Sequence, residues 1–164
     1  MFLAICLKQL VVSSEVDNLA YKKLSVFILV ALALIFGGLA SSNTGNDQWY
    51  QDLIKSDLNP PGFVFGIVWP ILYILMSISA YRTFEKTITL FFIQLFFNAI
   101  WSWLFFAFHL TTIALFNIWL LIFLNIRLFL IMFRIDKLSA YLYMPYLLWL
   151  LFASYLNLFI VINN

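Results

Sequence analysis

The sequence predicts an all-α protein, an integral membrane bundle of five transmembrane helices. Three observations predict it. Of its 164 residues, 65% are hydrophobic and only 10% charged, against about 25% charged in soluble domains. The mean hydropathy is +1.03, more apolar surface than a soluble chain of this length can bury, so the solvent is lipid. The apolar residues fall into five runs separated by polar segments, each long enough to cross a bilayer as a helix.

Composition also excludes several chemistries. A net charge of +2 is too small and too dispersed for nucleic-acid binding. A single cysteine, Cys6, rules out an internal disulfide or a cysteine metal cluster. A single histidine, His109, leaves little scope for a metal site or a catalytic triad, so neither is expected.

In chain order, residues 1–21 read as an N-terminal extension, either a short helix on the membrane surface or the product of a mis-assigned start. Their apolar core is too short and broken for a signal peptide. Lys22 and Lys23 open the domain proper, residues 22–164. The first span covers about residues 24–42. Its Ala33, Gly37 and Ser41 recur every fourth residue, a small-residue face that packs against a neighbouring helix or, less simply, a second copy. Residues 43–61 form the longest polar stretch, with three acids and one base. That is too long for a mere turn, and Trp49, Tyr50, Leu53 and Ile54 give it an apolar side. Two roles fit: an interfacial aromatic anchor, or a lid over a cavity opening at that end.

Asn59-Pro60-Pro61-Gly62 breaks any helix and can start the next, which runs over about residues 63–81. Pro70 lies inside it and removes the hydrogen bond to the Gly66 carbonyl, predicting a mild kink. A charged turn at 82–86 leads to a third span at about 88–108 and, after a very short link, a fourth at 112–133. So tight a link makes these two antiparallel neighbours. The turn at 134–137 precedes the fifth span, 139–162.

Seven of the nine basic residues (Lys8, Lys22, Lys23, Arg82, Lys86, Arg134 and Lys137) flank one side, and Lys55 flanks the other. The positive-inside rule therefore places the N-terminus inside and the C-terminus outside. Arg127 alone lies within a span, within snorkelling reach of its end. No Asp or Glu lies in any span, which argues against a proton-coupled pump.

The neutral polar residues carry the functional signal. Trp69, Tyr73, Ser77 and Ala80 share one face of the second span. Gln94, Asn98, Trp101 and Phe105 share a face of the third, with Ser102 at its border, and Tyr146, Trp149, Ala153 and Asn157 share a face of the fifth. One reading is packing, with buried amides as interhelical links, a role that also fits Asn117 and Asn125. The other joins the stripes into a pocket between spans two, three and five. Trp69, Tyr73, Trp101, Phe105, Tyr146 and Trp149 would line it, Asn98 and Asn157 would offer polar contacts, and Ala153 would leave room. Such a pocket suits a large, flat, apolar molecule.

Four segments resemble one known family. They are Trp49-Tyr50-x-x-Leu53-x-Lys55; Pro60-Pro61-x-x-x-Phe65-x-x-x-Trp69-x-x-Leu72-Tyr73; Gln94-x-x-x-Asn98-x-x-Trp101-Ser102-x-x-Phe105-Phe106; and Pro145-Tyr146-x-x-Trp149-x-x-Phe152-Ala153-x-x-x-Asn157. In order and spacing, over residues 24–162, they resemble the translocator proteins, also called tryptophan-rich sensory proteins and once the peripheral benzodiazepine receptor. The resemblance implies a five-helix membrane bundle and a tetrapyrrole ligand, protoporphyrin IX or haem, with no cofactor required. It implies ligand contacts at Tyr50, Trp69, Tyr73, Asn98, Trp101, Trp149 and Ala153. Trp69 and Trp149 match the two tryptophans linked to light-dependent porphyrin breakdown in bacterial relatives, and would be the catalytic pair if this chain is an enzyme. Sensor or carrier, degrading enzyme and structural or assembly partner remain three readings, and the motifs favour the first two.

The resemblance also implies a homodimer, with the third span as its interface. Departures qualify it. Ser56 follows Lys55 where the family usually has proline, so a more mobile loop is expected. Pro70 replaces a common threonine or glycine. No basic residue follows Lys137, so the C-terminal sterol pattern of animal members is missing and sterol binding is not expected. That absence favours a bacterial inner membrane over a mitochondrial outer membrane. His109 falls at a turn, away from the pocket, so no axial metal ligand is expected there.

Overall fold

No glycine or proline stands between Phe2 and Phe36, so nothing local ends a helix there. In a computed structural model, which describes the backbone of residues 2–42 and 44–164 and the side chains from Ala20 onward except Asn43, α1 accordingly runs Phe2–Ser41 in one piece. The extension over residues 1–21, read as either a short surface helix or a mis-assigned start, is from Phe2 onward continuous in backbone with the first span, and most of its side chains lie outside the described residues. The membrane-length part of α1 is Ala20–Ser41.

The remaining elements are a short α2 (Gln48–Asp52), α3 (Gly62–Arg82), α4 (Phe84–Ser102), α5 (Thr111–Ile135) and α6 (Lys137–Asn163). Five helices, with α4 extended to Ala107, are long and apolar enough to cross a membrane. Among the described residues there is no strand. Pro70 sits within an unbroken α3.

The charged turns are tighter than hydropathy predicts. One residue, Thr83, separates α3 from α4, and one residue, Asp136, separates α5 from α6. Hydropathy ends where water begins, whereas a helix ends where its backbone groups find other partners. The Thr83 hydroxyl bonds the Ser79 carbonyl at 2.8 Å and the Thr87 hydroxyl at 3.0 Å, serving both helix ends. The Asp136 carboxylate caps α6 by accepting from the Leu138 amide at 3.2 Å and pairs with Arg82 at 2.7 Å. Lys23 lies 4.0 Å from Glu85. These contacts place Lys23, Arg82 and the two charged turns at one end of the bundle, opposite the 44–61 loop.

The third span changes pitch. Trp103–Ala107 forms a π-helical turn, closed by the Phe108 amide on the Trp103 carbonyl at 2.9 Å. His109 then takes a left-handed backbone (φ 57°), which reverses the chain into α5. Such turns recur at functional sites; here the turn presents Phe105 and Phe106 on the loop side.

Around the bundle, α1 touches α3 and α4, α3 packs on α6, α6 on α5, and α5 on α4, closing a ring. The core at the basic end is filled by side chains such as Met76, Phe91, Leu128, Met132 and Tyr143, all fully buried. A polar network threads it. Asn125 donates to the Leu121 carbonyl at 2.7 Å and to Gln94 Oε1 at 3.4 Å, and accepts from the Tyr143 hydroxyl. Tyr146 donates to the same Gln94 oxygen at 3.0 Å. Asn117 donates to the Phe97 carbonyl at 3.0 Å, linking α5 to α4. Arg127 is exposed on the outer face of α5, as a snorkelling side chain would be.

Candidate functional site

At the loop end the same ring of helices does not close over its axis. Between α1, α3, α4, α6 and the 44–61 loop lies a cavity of about 880 Å³, toward the upper end of the range for small-molecule sites, about 300–1,000 Å³. Trp69, Trp101 and Trp149 form its aromatic walls, with Phe65 and Phe106 beside them. The Trp69 and Trp149 rings stand nearly perpendicular, centroids 6.5 Å apart at 87°, an edge-to-face pair. Phe65 meets Trp149 edge-on at 5.8 Å.

The floor is polar. Asn98 and Tyr73 both line the cavity. Asn98 accepts from the Tyr73 hydroxyl and donates to Tyr146 at 2.7 Å. Through Tyr146 it joins the Gln94 network, so its carboxamide is fixed in orientation. The Trp149 indole nitrogen is buried with no hydrogen-bond partner among the described residues, as is Gln94 Nε2. Buried donors without partners are rare, and that of Trp149 belongs to a cavity wall.

The roof is the loop. Asp47 caps α2 by accepting from the Trp49 amide at 3.1 Å. Tyr50 of α2 lines the cavity and meets Phe106 edge-on at 5.6 Å. Burial pushes the Tyr50 hydroxyl above its ordinary pKa, partly offset by a hydrogen bond to Asn59. Three ties hold the loop down. Asn164 accepts from the Ile54 amide at 2.8 Å and donates to the Ile54 carbonyl at 3.2 Å. Ser56 bonds the Tyr155 hydroxyl at 2.9 Å. His109 stacks on Trp49 with centroids 3.8 Å apart and lies 3.3 Å from Asp47. Of the two roles the sequence left open for this stretch, the geometry is that of a roof. Trp49 is turned onto His109 and Phe105.

A model of the TspO/MBR family matches residues 25–162. The chain belongs to the TspO/MBR family. A tryptophan-rich protein TspO of Archaeoglobus fulgidus is 34% identical over 149 residues, covering 87% of this chain and 97% of the relative. One of Chlorobaculum tepidum is 33% identical over 150 residues, covering 86% and 95%. A tryptophan-rich sensory protein of Cereibacter sphaeroides is 34% identical over 119 residues, covering 68% and 73%.

Within this TspO/MBR bundle, seven residues predicted for the pocket line the cavity: Tyr50, Trp69, Tyr73, Asn98, Trp101, Trp149 and Ala153. Four others stand behind it. Tyr146 is fully buried beneath Asn98. Phe105 stacks behind Trp101 at 5.4 Å. Asn157 accepts from the Trp101 indole at 3.4 Å and donates to the Thr111 carbonyl at 2.9 Å. Trp49 packs on His109. A shared helical face includes the residues that support a wall as well as the wall, and spacing cannot separate them.

The sequence reading missed the wall made by α1. Leu34, Gly37, Gly38 and Ser41 line the cavity. Gly37 also permits a close approach, since a Cβ there would lie 3.3 Å from the Ser102 hydroxyl. Their signal was the small-residue face, read only as a packing surface. Lys55, Asn59 and Gln51 at the mouth were missed too. Desolvation lowers the pKa of Lys55, with Asp52 opposing the shift.

Proposed function

We propose that this membrane protein binds a tetrapyrrole, metal-free protoporphyrin IX or a haem held by stacking, in the cavity beneath the loop, and acts as a sensor or carrier. The observation that carries the reading is the cavity itself: about 880 Å³, walled by Trp69, Trp101 and Trp149 over an oriented Asn98. A flat macrocycle gains from aromatic faces, and the Asn98 carboxamide lining the cavity offers it a polar contact. The names of the relatives, tryptophan-rich TspO and sensory proteins, are consistent with this reading.

The test is a dark titration with protoporphyrin IX, followed by tryptophan quenching, on the wild type, Asn98→Ala and Trp149→Phe. Saturable one-site quenching, weakened roughly tenfold in Asn98→Ala, is expected for a charge-free but buried polar contact. Non-saturating quenching, identical in all three proteins, would mean that porphyrin only partitions into the detergent and would defeat the reading.

A second reading rests on the Trp69–Trp149 pair. An indole beside a photoexcited macrocycle would pass it one electron, which the macrocycle hands to dioxygen as superoxide. The oxidised indole would then recover an electron from the macrocycle, whose radical cation combines with superoxide to give a ring-opening peroxide. Porphyrin and dioxygen would thus be consumed together in light. Illuminating the same samples decides: loss of the porphyrin bands that slows in Trp69→Phe or Trp149→Phe, while binding persists, supports the enzyme. Bleaching at equal rates with and without protein removes it.

The finer placement belongs to the same proposal: a bacterial inner membrane, the basic end cytoplasmic, and a homodimer through the exposed α4 face at Ile93 and Phe96. Cysteine cross-linking of Phe96→Cys in native vesicles tests the dimer, and a monomer-only pattern would exclude that interface.

A further inference from the structure

Among the described residues, Lys55 is the one charged side chain in the cavity lining. It sits at the mouth beside Gln51, Asn59 and Tyr50, and the opposite end of the cavity is the neutral amide of Asn98. Its ammonium donates to the Gln51 carbonyl at 3.2 Å and the Leu53 carbonyl at 3.3 Å, and lies 4.6 Å from the centroid of the Tyr50 ring. An ammonium has three donors, so one is left over. No carboxylate lies within 4 Å of it among the described residues, as the ion pairs there are made by Lys23, Arg82 and His109. Asp47 caps α2 and faces His109; Asp52 accepts from Gln48 at 2.7 Å and acts on Lys55 through its charge alone.

We propose that Lys55 makes the cavity mouth an anion subsite, so that the molecule bound here is a flat apolar compound with a carboxylate on one edge. The inference rests on the tetrapyrrole reading and deepens it. A partly desolvated cation with a spare donor is a strong partner for a carboxylate. The aromatic walls give a macrocycle a place but no preferred edge, and one cation at one end supplies that preference. The acidic edge lies under the loop beside Lys55, and the opposite edge points toward Trp69 and the Asn98 amide. Lys55 thereby also ties the ligand to the roof, because the same ammonium holds two carbonyls of the loop.

Protoporphyrin IX and its dimethyl ester differ in this edge alone. Each is titrated in the dark into wild type, Lys55→Gln and Lys55→Arg in nanodiscs, following tryptophan quenching. Comparing the proteins for each compound separately cancels the compounds' different partitioning into lipid. In Lys55→Gln the free acid should weaken about tenfold and the ester less than about twofold, with Lys55→Arg keeping the acid within about threefold. Added salt should weaken the acid more than the ester on the wild type alone, an arm that does not depend on any variant folding.

Equal weakening of acid and ester in Lys55→Gln would show that the lysine only braces the loop, and would overturn the inference. So would an unchanged acid affinity, or an acid and an ester with the same salt response. Saturable binding of both compounds with those results leaves the tetrapyrrole reading standing and the subsite gone. If neither compound saturates on the wild type, both fall.

Discussion

At the basic end of the bundle, Asn125 commits its carboxamide to the Leu121 carbonyl, Gln94 and Tyr143. At the loop end, Trp69, Trp101 and Trp149 face open volume. Both ends are built from the same kinds of residue, aromatics and amides on α3, α4 and α6. What differs is α1. Near the basic end it turns Val26 and Val30 into the core, both buried. Near the loop end it offers Gly37, Gly38 and Ser41, which fill almost nothing. A bundle close-packed at one end and lined by small residues at the other leaves a hole, because side chains cannot stretch to occupy it. Aromatic residues therefore pack at one end and line a cavity at the other.

Three substitutions sharpen the contrast, from largest effect to smallest. Asn125→Leu strips the network at the closed end and leaves the Tyr143 hydroxyl buried without its acceptor. It should destabilise the protein by roughly 1–2 kcal/mol, read as a lower thermal unfolding midpoint in detergent. An unchanged midpoint would show that the amides there are no more committed than those of the cavity.

At the open end, an added Cβ on Gly66 would meet nothing within 4 Å, although the residue lies inside α3 and lines the cavity. Gly66→Ala should therefore stabilise by about 0.5–1 kcal/mol through helix propensity and leave protoporphyrin affinity close to wild type. A destabilised variant would mean that the helix bends there on ligand-free folding and that the cavity wall is tighter than its geometry.

The smallest effect concerns the rim of the closed end. The Ser139 hydroxyl, with the Arg82 guanidinium, holds the Asp136 carboxyl below its ordinary value. A carboxylate whose pKa is lowered by folding contributes stability above its unfolded value, about 3.9, and loses it as pH falls from there through the folded value. Asp136→Asn should lower the unfolding midpoint slightly at neutral pH, with the difference from wild type disappearing in acid. A difference that persists at low pH would assign the effect to helix capping alone, since the Leu138 amide bond does not need a charge.

How much of this was legible beforehand follows from the kind of signal each feature sends. The five spans were readable from hydropathy because lipid imposes the same demand on every residue of a span. Their ends were not: α4 begins at Phe84 and α6 at Lys137, since single residues, Thr83 and Asp136, provide the caps. The π-helical turn at Trp103–Ala107 had no signal in a run of apolar residues. The walls at Trp69, Trp101 and Trp149 were readable from helical periodicity. Tyr146, Phe105 and Asn157 share those faces yet stand behind the cavity, since periodicity gives a direction and not a depth. The contribution of α1 was hidden because glycine and serine mark a close approach and an empty wall with the same letters.

By itself, then, the sequence determined the solvent, the number of membrane helices, the family and the aromatic character of the faces that line the cavity between them. These depend on composition and on order along the chain, which one dimension holds in full. Only the tertiary structure decided that Gly37 lies against Ser102 while Gly38 faces open volume, that Tyr146 serves Asn98 from below, and that Lys55 comes to the mouth of the cavity. Each of these is a relation between side chains far apart in sequence, set by how five helices divide the space among them, and no single segment carries that information.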